Sequence, residues 1–475
     1  ISCDTDMFVS FCTYLCTGFC PVFFIFLLHR FEEEKRFCPD EDEAMVRAVQ
    51  KTFSSILASS LTTIAGFLAM CTMRLTLGRD IGIVMAKGVL LGVVSTVTIL
   101  PALILTFRRS IARHTHRTFI PKLRRTSRFV VRRYIPILAV FVLCFIPFSV
   151  AQAKTPVYYT LFDSLPQDLA GIQGTSRLKE DFGMTTSHFI IVDDGLPARD
   201  MEALTDEIEQ VDGIRQVLSY EKFLGGGVPR EVLPTEVRQI FCAGGHEMLL
   251  ANSSYESGTE AQNAQLDALN AIVKRYDPNG VITGEGAMTK DLIEVADVDF
   301  RSVSIASIAA VFLIIAISFR SASIPVLLVA AIESAIMINM GIPYFTGTTL
   351  PFVASIVIGT IQLGATVDYA ILMTTRFREE LNAGRSTKDA VQTAVEQCSQ
   401  SILTSGLTFF AATFSVSLAS RMELISSLCR LISRGALISM LVILLVLPAL
   451  LILTAPLIRK TTYHWLSKEK ETKTI

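Results

Sequence analysis

Long apolar runs separated by short charged stretches set the pattern of this chain. Several runs exceed 18 residues, the length at which an apolar segment reads as a membrane helix. The pattern predicts spans over residues 7–28, 52–73, 80–107, 134–153, 300–319, 324–345, 350–375, 399–419 and 431–453. The first is rather polar and interrupted by Pro21, and a short surface helix is expected at 40–50. Between 154 and 299 the pattern changes. Alternating or short apolar stretches predict strands at 187–192, 214–219, 246–251 and 281–283. Helical periodicity predicts helices at 198–211 and 259–275, and a Gly/Pro-rich stretch at 224–234 breaks the pattern. Two successive βαβ units predict a ferredoxin-like split βαβ sandwich. Residues 291–299 then continue as helix into the fifth span.

The expected fold is therefore a polytopic α-helical membrane protein with about nine spans and an exported α+β ferredoxin-like domain. Residues 1–107 hold three spans, 108–133 a linker, 134–153 one span, 154–299 the polar domain, 300–458 five spans and 459–475 a tail. Composition agrees, with 51% hydrophobic residues and a mean hydropathy of +0.49. Charge then orients the chain. The linker 108–133 holds ten Lys/Arg and no acid, which marks it as cytoplasmic. Nine spans place the loops 29–51 and 376–398 and the basic tail on that same side. The domain 154–299, with 25 acidic against 11 basic residues, falls outside. Lys87 and Arg434 lie just inside the outer ends of their spans, where long side chains snorkel.

Several function classes drop out. The one basic run is explained by topology, so nothing points to nucleic acid. The polar domain has no nucleophile–His–acid set and no metal-ligand spacing, so an enzyme is not expected and no cofactor is implied. Its one cysteine, Cys242, excludes an internal disulfide. Cys12, Cys16 and Cys20 form an i, i+4, i+8 stripe, readable as packing or as part of a metal site.

Candidate chemistry concentrates in residues 359–376. Asp368 sits about two turns before Arg376, inside an apolar run. A carboxylate there costs roughly 2.5–3.5 kcal/mol to insert, so it is kept to titrate, pair or bind. Gly364 lies one turn earlier on the same face, where a neighbouring helix can approach. Tyr369 points about 100° away from Asp368. Ser401, Thr404, Ser405 and Thr408 make a polar stripe that reads as partners for Asp368 or as ordinary packing. Gln362 shares the Tyr369 face, and Glu333, near the middle of its span, is a functional candidate or a local structural group.

The chain also repeats itself. Arg30-Phe-Glu-Glu-Glu matches Arg376-Phe-Arg-Glu-Glu, and Ser55-Ile-Leu-Ala-Ser-Ser-Leu-Thr62 matches Ser401-Ile-Leu-Thr-Ser-Gly-Leu-Thr408, both at an offset of 346. Leu100-Pro-Ala-Leu103 matches Leu447-Pro-Ala-Leu450 at 347. Register kept over roughly 75 residues indicates tandem duplication, which places functional groups between the halves. Ser55, Ser59 and Thr62 form the matching polar face of the second span. The duplication predicts about twelve spans and two exported domains in the intact chain, of which an N-terminal part is missing here.

Gly364-Ala-Thr-Val-Asp368-Tyr369, Arg376-Phe-Arg-Glu-Glu, Ser401–Thr408 and Leu447-Pro-Ala together resemble the RND superfamily, most closely its MMPL-type branch. The resemblance covers nearly the whole chain. It implies proton-driven export of lipid, hydrophobic or amphiphilic molecules across the cytoplasmic membrane, with porter domains outside and membrane lipids around. It also implies paired Asp-Tyr motifs on the fourth and tenth helices, and Asp368 and Tyr369 match the tenth-helix motif. Both monomers and homo-oligomers occur in the superfamily. The first half departs from the pattern: the register places Val22 and Phe23 where an Asp-Tyr pair belongs, and Asp4 and Asp6 lie too early. Alternatives therefore stand: a non-pumping sterol-sensing or receptor-type member, a protein-export accessory, or an inactive gene fragment.

Overall fold

Asp40 starts the first long helix. Its carboxylate accepts the Asp42 N–H, and Glu41, Asp42 and Glu43 fill the first turn, where the helix dipole favours negative charge. Nothing then interrupts the helix until Ala69, so the surface helix and the second span are one element. The computed structural model describes residues 23–38, 40–114, 123–159, 168–220, 222, 239–420 and 422–462. Most of the first expected span lies outside these residues, as do Cys12, Cys16, Cys20, Val22, the 224–234 stretch and most of the tail.

The helices are α1 (23–34), α2 (Glu41–Ala69), α3 (Thr76–Val97), α4 (Ile99–Thr106), α5 (Arg108–Arg113), α6 (Arg124–Arg132) and α7 (Tyr134–Ala153), then α8 (Ala170–Phe182), α9 (Ala198–Glu209) and α10 (Glu260–Tyr276). They are completed by α11 (Glu285–Phe319), α12 (Ser323–Thr346), α13 (Phe352–Asn382), α14 (Thr387–Ala419) and α15 (Glu423–Thr461). Among the described residues, eight helical segments are long and apolar enough to cross a membrane. The chain is a mostly helical, multi-pass membrane protein.

The third expected span is broken. It divides at Thr98 into α3 and α4, three residues before Pro101, whose ring displaces the carbonyl one turn back. Pro147, Pro343, Pro448 and Pro456 are carried inside their helices. The N-terminus of α3 is covered from a distant part of the chain: Asp299 accepts the N–H groups of Arg74 and Leu75 at 2.9–3.0 Å.

The chain divides into two units, Ile1–Val157 with Val298–Ile475, and Tyr158–Asp297. In the first, α13 is buried along almost its whole apolar length, whereas α3 and α7 turn Leu90, Leu91, Val94, Ile135, Val140 and Leu143 outward. Outward apolar faces of this extent suit lipid as the surrounding solvent.

The second unit is built on β2 (Thr186–Asp193), β3 (Ile214–Leu218), β5 (His246–Ser253) and β6 (Val281–Thr283), in the order β3-β5-β2-β6 with every neighbour antiparallel; β1 (Val157–Tyr158) precedes them and β4 (Cys242–Ala243) pairs with β5. Strand β2 buries alternate residues, including Ile190 and Val192, against Met201, Leu204 and Ile208 of α9 and Leu269 and Val273 of α10.

Candidate functional site

The site forms where α2 and α13 touch. Both helices present glycine at the crossing. A Cβ built on Gly66 would lie 3.8 Å from the Gly364 Cα, so the two backbones meet almost directly. A Cβ on Gly364 would reach the Phe67 ring and the Thr63 methyl at 3.7 Å, ordinary contact distance. That approach brings Thr63 within reach of the next turn of α13. Its hydroxyl lies 3.2 Å from Asp368 Oδ1, 2.9 Å from the Gly364 carbonyl and 3.1 Å from the Ser59 carbonyl.

A hydroxyl has one proton to donate, and three acceptors surround this one. If Asp368 is ionised, it accepts from Thr63. If Asp368 is protonated, it can donate to Thr63, whose own proton then serves a backbone carbonyl. Both charge states therefore find a hydrogen bond without a change of partner. Asp368 is only 6% exposed, and Ser59 adds a second hydroxyl on the same side.

Tyr369 turns the other way, as a one-residue step on a helix requires. It is 1% exposed, and its hydroxyl lies 3.1 Å from Ser405 Oγ on α14. The cap that starts α14, Ser386 accepting the Asp389 N–H, sets its register about five turns earlier. A cavity of about 30 Å³ joins the two sides, lined among others by Phe23, Ser55, Ser59, Asp368, Tyr369, Ser401 and Ser405. Water needs roughly 10–15 Å³, so the cavity has room for it.

The polar stripe on α14 thus divides. Ser401 and Ser405 face the cavity. Thr404 and Thr408 donate to the carbonyls of Gln400 and Thr404 in their own helix, and Thr408 is exposed. Among the described residues no hydrogen bond from the stripe reaches Asp368; that contact comes from α2.

Gln362 belongs to a second, separate network. Its Oε1 accepts from Asn339 Nδ2 at 2.9 Å, and its Nε2 donates to Ser439 Oγ at 3.0 Å and the Gly435 carbonyl at 3.3 Å. Asn339 also donates to the Leu431 carbonyl. Arg434 turns into this network instead of snorkelling: Nε donates to Asn339 Oδ1 and Nη2 to the Asn339 carbonyl, both at 2.8 Å. Glu333 is half-buried on α12, four residues before Met337, which touches Ser149 of α7.

At the charged end of the bundle Arg376 pairs with Glu33 at 3.1 Å, across the two repeats, and with Glu379 and Glu380 of its own helix. Its repeat counterpart Arg30 pairs with Glu33 and Glu34. Arg30, Glu33, Arg376 and Glu379 line a vestibule of about 800 Å³, and Phe26, Ser55, Leu372 and Ser401 line both the vestibule and the Asp368 cavity. The two spaces adjoin.

Sequence reasoning missed Thr63, Asn339 and Arg434 as site residues. Thr63 lies four residues after Ser59, so the stripe on α2 pointed to it. Asn339 is a polar amide inside an apolar span, which was signal enough.

The family model of the MMPL family matches residues 4–137 and 165–472. The chain belongs to the MMPL family. Among relatives, this MMPL-family chain is 25% identical over 384 residues to the membrane protein ActII-3 of Streptomyces coelicolor, covering 78% of this chain and 51% of that protein. It is 24% identical over 162 residues to MmpL11 of Mycolicibacterium smegmatis, named as an exporter of mycolic acid-containing lipids, covering 34% and 16%. It is 24% identical over 168 residues to MmpL5 of Mycobacterium tuberculosis, named as a siderophore exporter, covering 34% and 17%. The MMPL chain spans about half the length of ActII-3 and of the Bacillus subtilis membrane protein YdfJ. Its family is one of transporters.

Proposed function

We propose that the protein to which this chain belongs exports lipid or amphiphilic molecules across the cytoplasmic membrane, driven by protons, with Asp368 as the relay carboxylate. The observation that carries the reading is the placement of Asp368: buried between the two repeats, with two hydroxyls from α2, beside a water-sized cavity that adjoins a polar vestibule. A proton moving inward is worth about 2.3 kcal/mol per 100 mV. Taking up that proton at Asp368 removes a charge from the seam between the halves. Thr63 follows by reorienting its own proton, and the halves are then free to shift. Tyr369 and Ser405 extend the polar path to α14. Ser401 and Gly364 support it, one as cavity lining and the other by allowing the approach.

The strand order β3-β5-β2-β6 with α9 and α10 supports a ferredoxin-like split βαβ domain in the second unit. Basic clusters on one side of the spans support an extracytoplasmic position for it. The names of MmpL11 and MmpL5 support an amphiphilic substrate. No chemistry is required of the chain beyond proton transfer. A second reading, a non-pumping receptor-type member, is favoured by one observation: Phe23, at the register position of Tyr369, lines the cavity as an apolar ring.

The test is proton flux and substrate export by the full-length protein in proteoliposomes, comparing wild type with Asp368→Asn. Loss of at least about 100-fold in coupled flux is expected, in the range for removing an essential proton-transfer group. Equal flux in both would remove Asp368 from the mechanism and favour the receptor reading.

A further inference from the structure

The Asn339–Arg434 contact points to a second binding site at the end of the bundle where α12 finishes and α15 begins. Arg434 spends two of its guanidinium N–H groups on Asn339. Asn339 is fully buried and is itself fixed by Gln362 and the Leu431 carbonyl. The guanidinium is therefore held at one edge, with the donors on its other edge left for something else. Arg430 lies one turn earlier on the same face and is exposed. Leu441, seven residues after Arg434, carries that face on and is 52% exposed, so the face opens to the surroundings of the bundle.

Two cations on one face offer a site for an anion. Among the described residues no acid forms an ion pair with either Arg430 or Arg434, although Arg30, Arg376 and Arg385 each have one. Depth indicates which anion. Residues 435–458 carry no charge, and Arg459 follows. Those 24 residues rise roughly 36 Å at 1.5 Å each, slightly more than a hydrocarbon core of about 30 Å. Arg434 and Arg459 thus bracket the apolar layer, at the level where lipid phosphates lie.

We propose that Arg430 and Arg434 form a binding site for the phosphate of a membrane phospholipid headgroup, with Asn339 as the positioning residue for the Arg434 guanidinium. The planar fork suits a phosphate better than an ammonium would, because it offers two parallel donors. Leu441 and the apolar face beyond it receive the acyl chain. The site does not depend on the proton-relay reading.

Native mass spectrometry of the full chain released from detergent tests this, using phosphatidylglycerol, diacylglycerol and glycerol phosphate as probes. Wild type is expected to retain one phosphatidylglycerol more than Arg434→Gln or Arg430→Gln, with retention at that site about tenfold weaker in each variant. Arg430→Gln alters an exposed side chain and keeps the fold, so a folding defect in Arg434→Gln does not decide the result. Lys87→Gln, the repeat counterpart of Arg434, is expected to match wild type. Unchanged phosphatidylglycerol retention in both arginine variants overturns the site. Equal retention of diacylglycerol overturns the role of the phosphate, and displacement by glycerol phosphate at matched concentration overturns the lipid as its source.

Discussion

Ser59 and Ser405 occupy equivalent positions in the two repeats, and both face α13. Yet Ser59 stands beside Asp368 on α2, while Ser405 reaches Tyr369 from α14. Four residues further on, the register pairs Thr63 with Phe409. One half offers Asp368 a hydroxyl where the other half carries a buried ring. The same asymmetry appears at the charged end, where Arg376 crosses to Glu33 and Arg30 stays within its own segment. Duplication has supplied the frame, and single substitutions within it have made the two sides chemically different. Among the described residues, the hydroxyls at Asp368 come from one side of α13 alone.

The comparison is tested most severely by glycine replacements. A Cβ on Gly435 would lie 2.4 Å from Gln362 Oε1 and 2.7 Å from Asn339 Nδ2, so the two amides would have to leave their hydrogen bonds to make room. Gly435→Leu is expected to cost about 3 kcal/mol through overpacking and lost polar pairing, read as a lowered thermal midpoint. Gly364→Ala, at the seam between the halves, should cost less than about 0.5 kcal/mol because its new contacts are ordinary. Equal losses would mean that the seam is packed as tightly as the interior of one half.

Next in size is Thr63→Val. Removing a hydroxyl from a buried carboxylate is worth about 1.5 kcal/mol, so proton flux should fall roughly tenfold. Thr408→Val, whose hydroxyl serves its own helix, should leave flux unchanged. A loss in Thr408→Val as large as in Thr63→Val would return Asp368's partner to α14.

Arg376→Gln follows. Its inter-repeat pair is only partly exposed, so a stability loss of about 1 kcal/mol is expected, with Arg30→Gln losing about half of that. Thermal midpoints at low and high salt check this, since screening should shrink both losses. The smallest effect belongs to Ser405→Ala. It removes one neutral hydrogen bond from Tyr369, and a change in flux of about twofold is expected.

Much of this was legible in the sequence. Apolar runs gave the membrane helices, and the 346-residue offset related their two sets. Gly364 one turn before Asp368 announced a close helix approach, and α2 makes it through Gly66. In the second unit the periodicity placed each of the four main strands to within two residues. Other features were hidden for physical reasons. The break before Pro101 was one of these, because whether a proline kinks, divides or sits inside a helix depends on its neighbours, as Pro147 and Pro448 show. A polar stripe says which face is polar and not which helix meets it, so α14 stood as one reading for the partner of Asp368 although α2 makes the contact. Arg434 was assigned to snorkelling because its partner Asn339 is 95 residues away and no local pattern joins them.

The meeting of Gly66 and Gly364 has a mechanical consequence. Most helix pairs interlock, so sliding one past the other forces side chains out of their rotamers. At this crossing the backbones present smooth surfaces, and even an added Cβ on Gly364 would meet the Phe67 ring only at ordinary contact distance. The seam behaves as a bearing within an otherwise geared bundle. Sliding of α13 along α2 would meet least resistance there, one turn from Asp368.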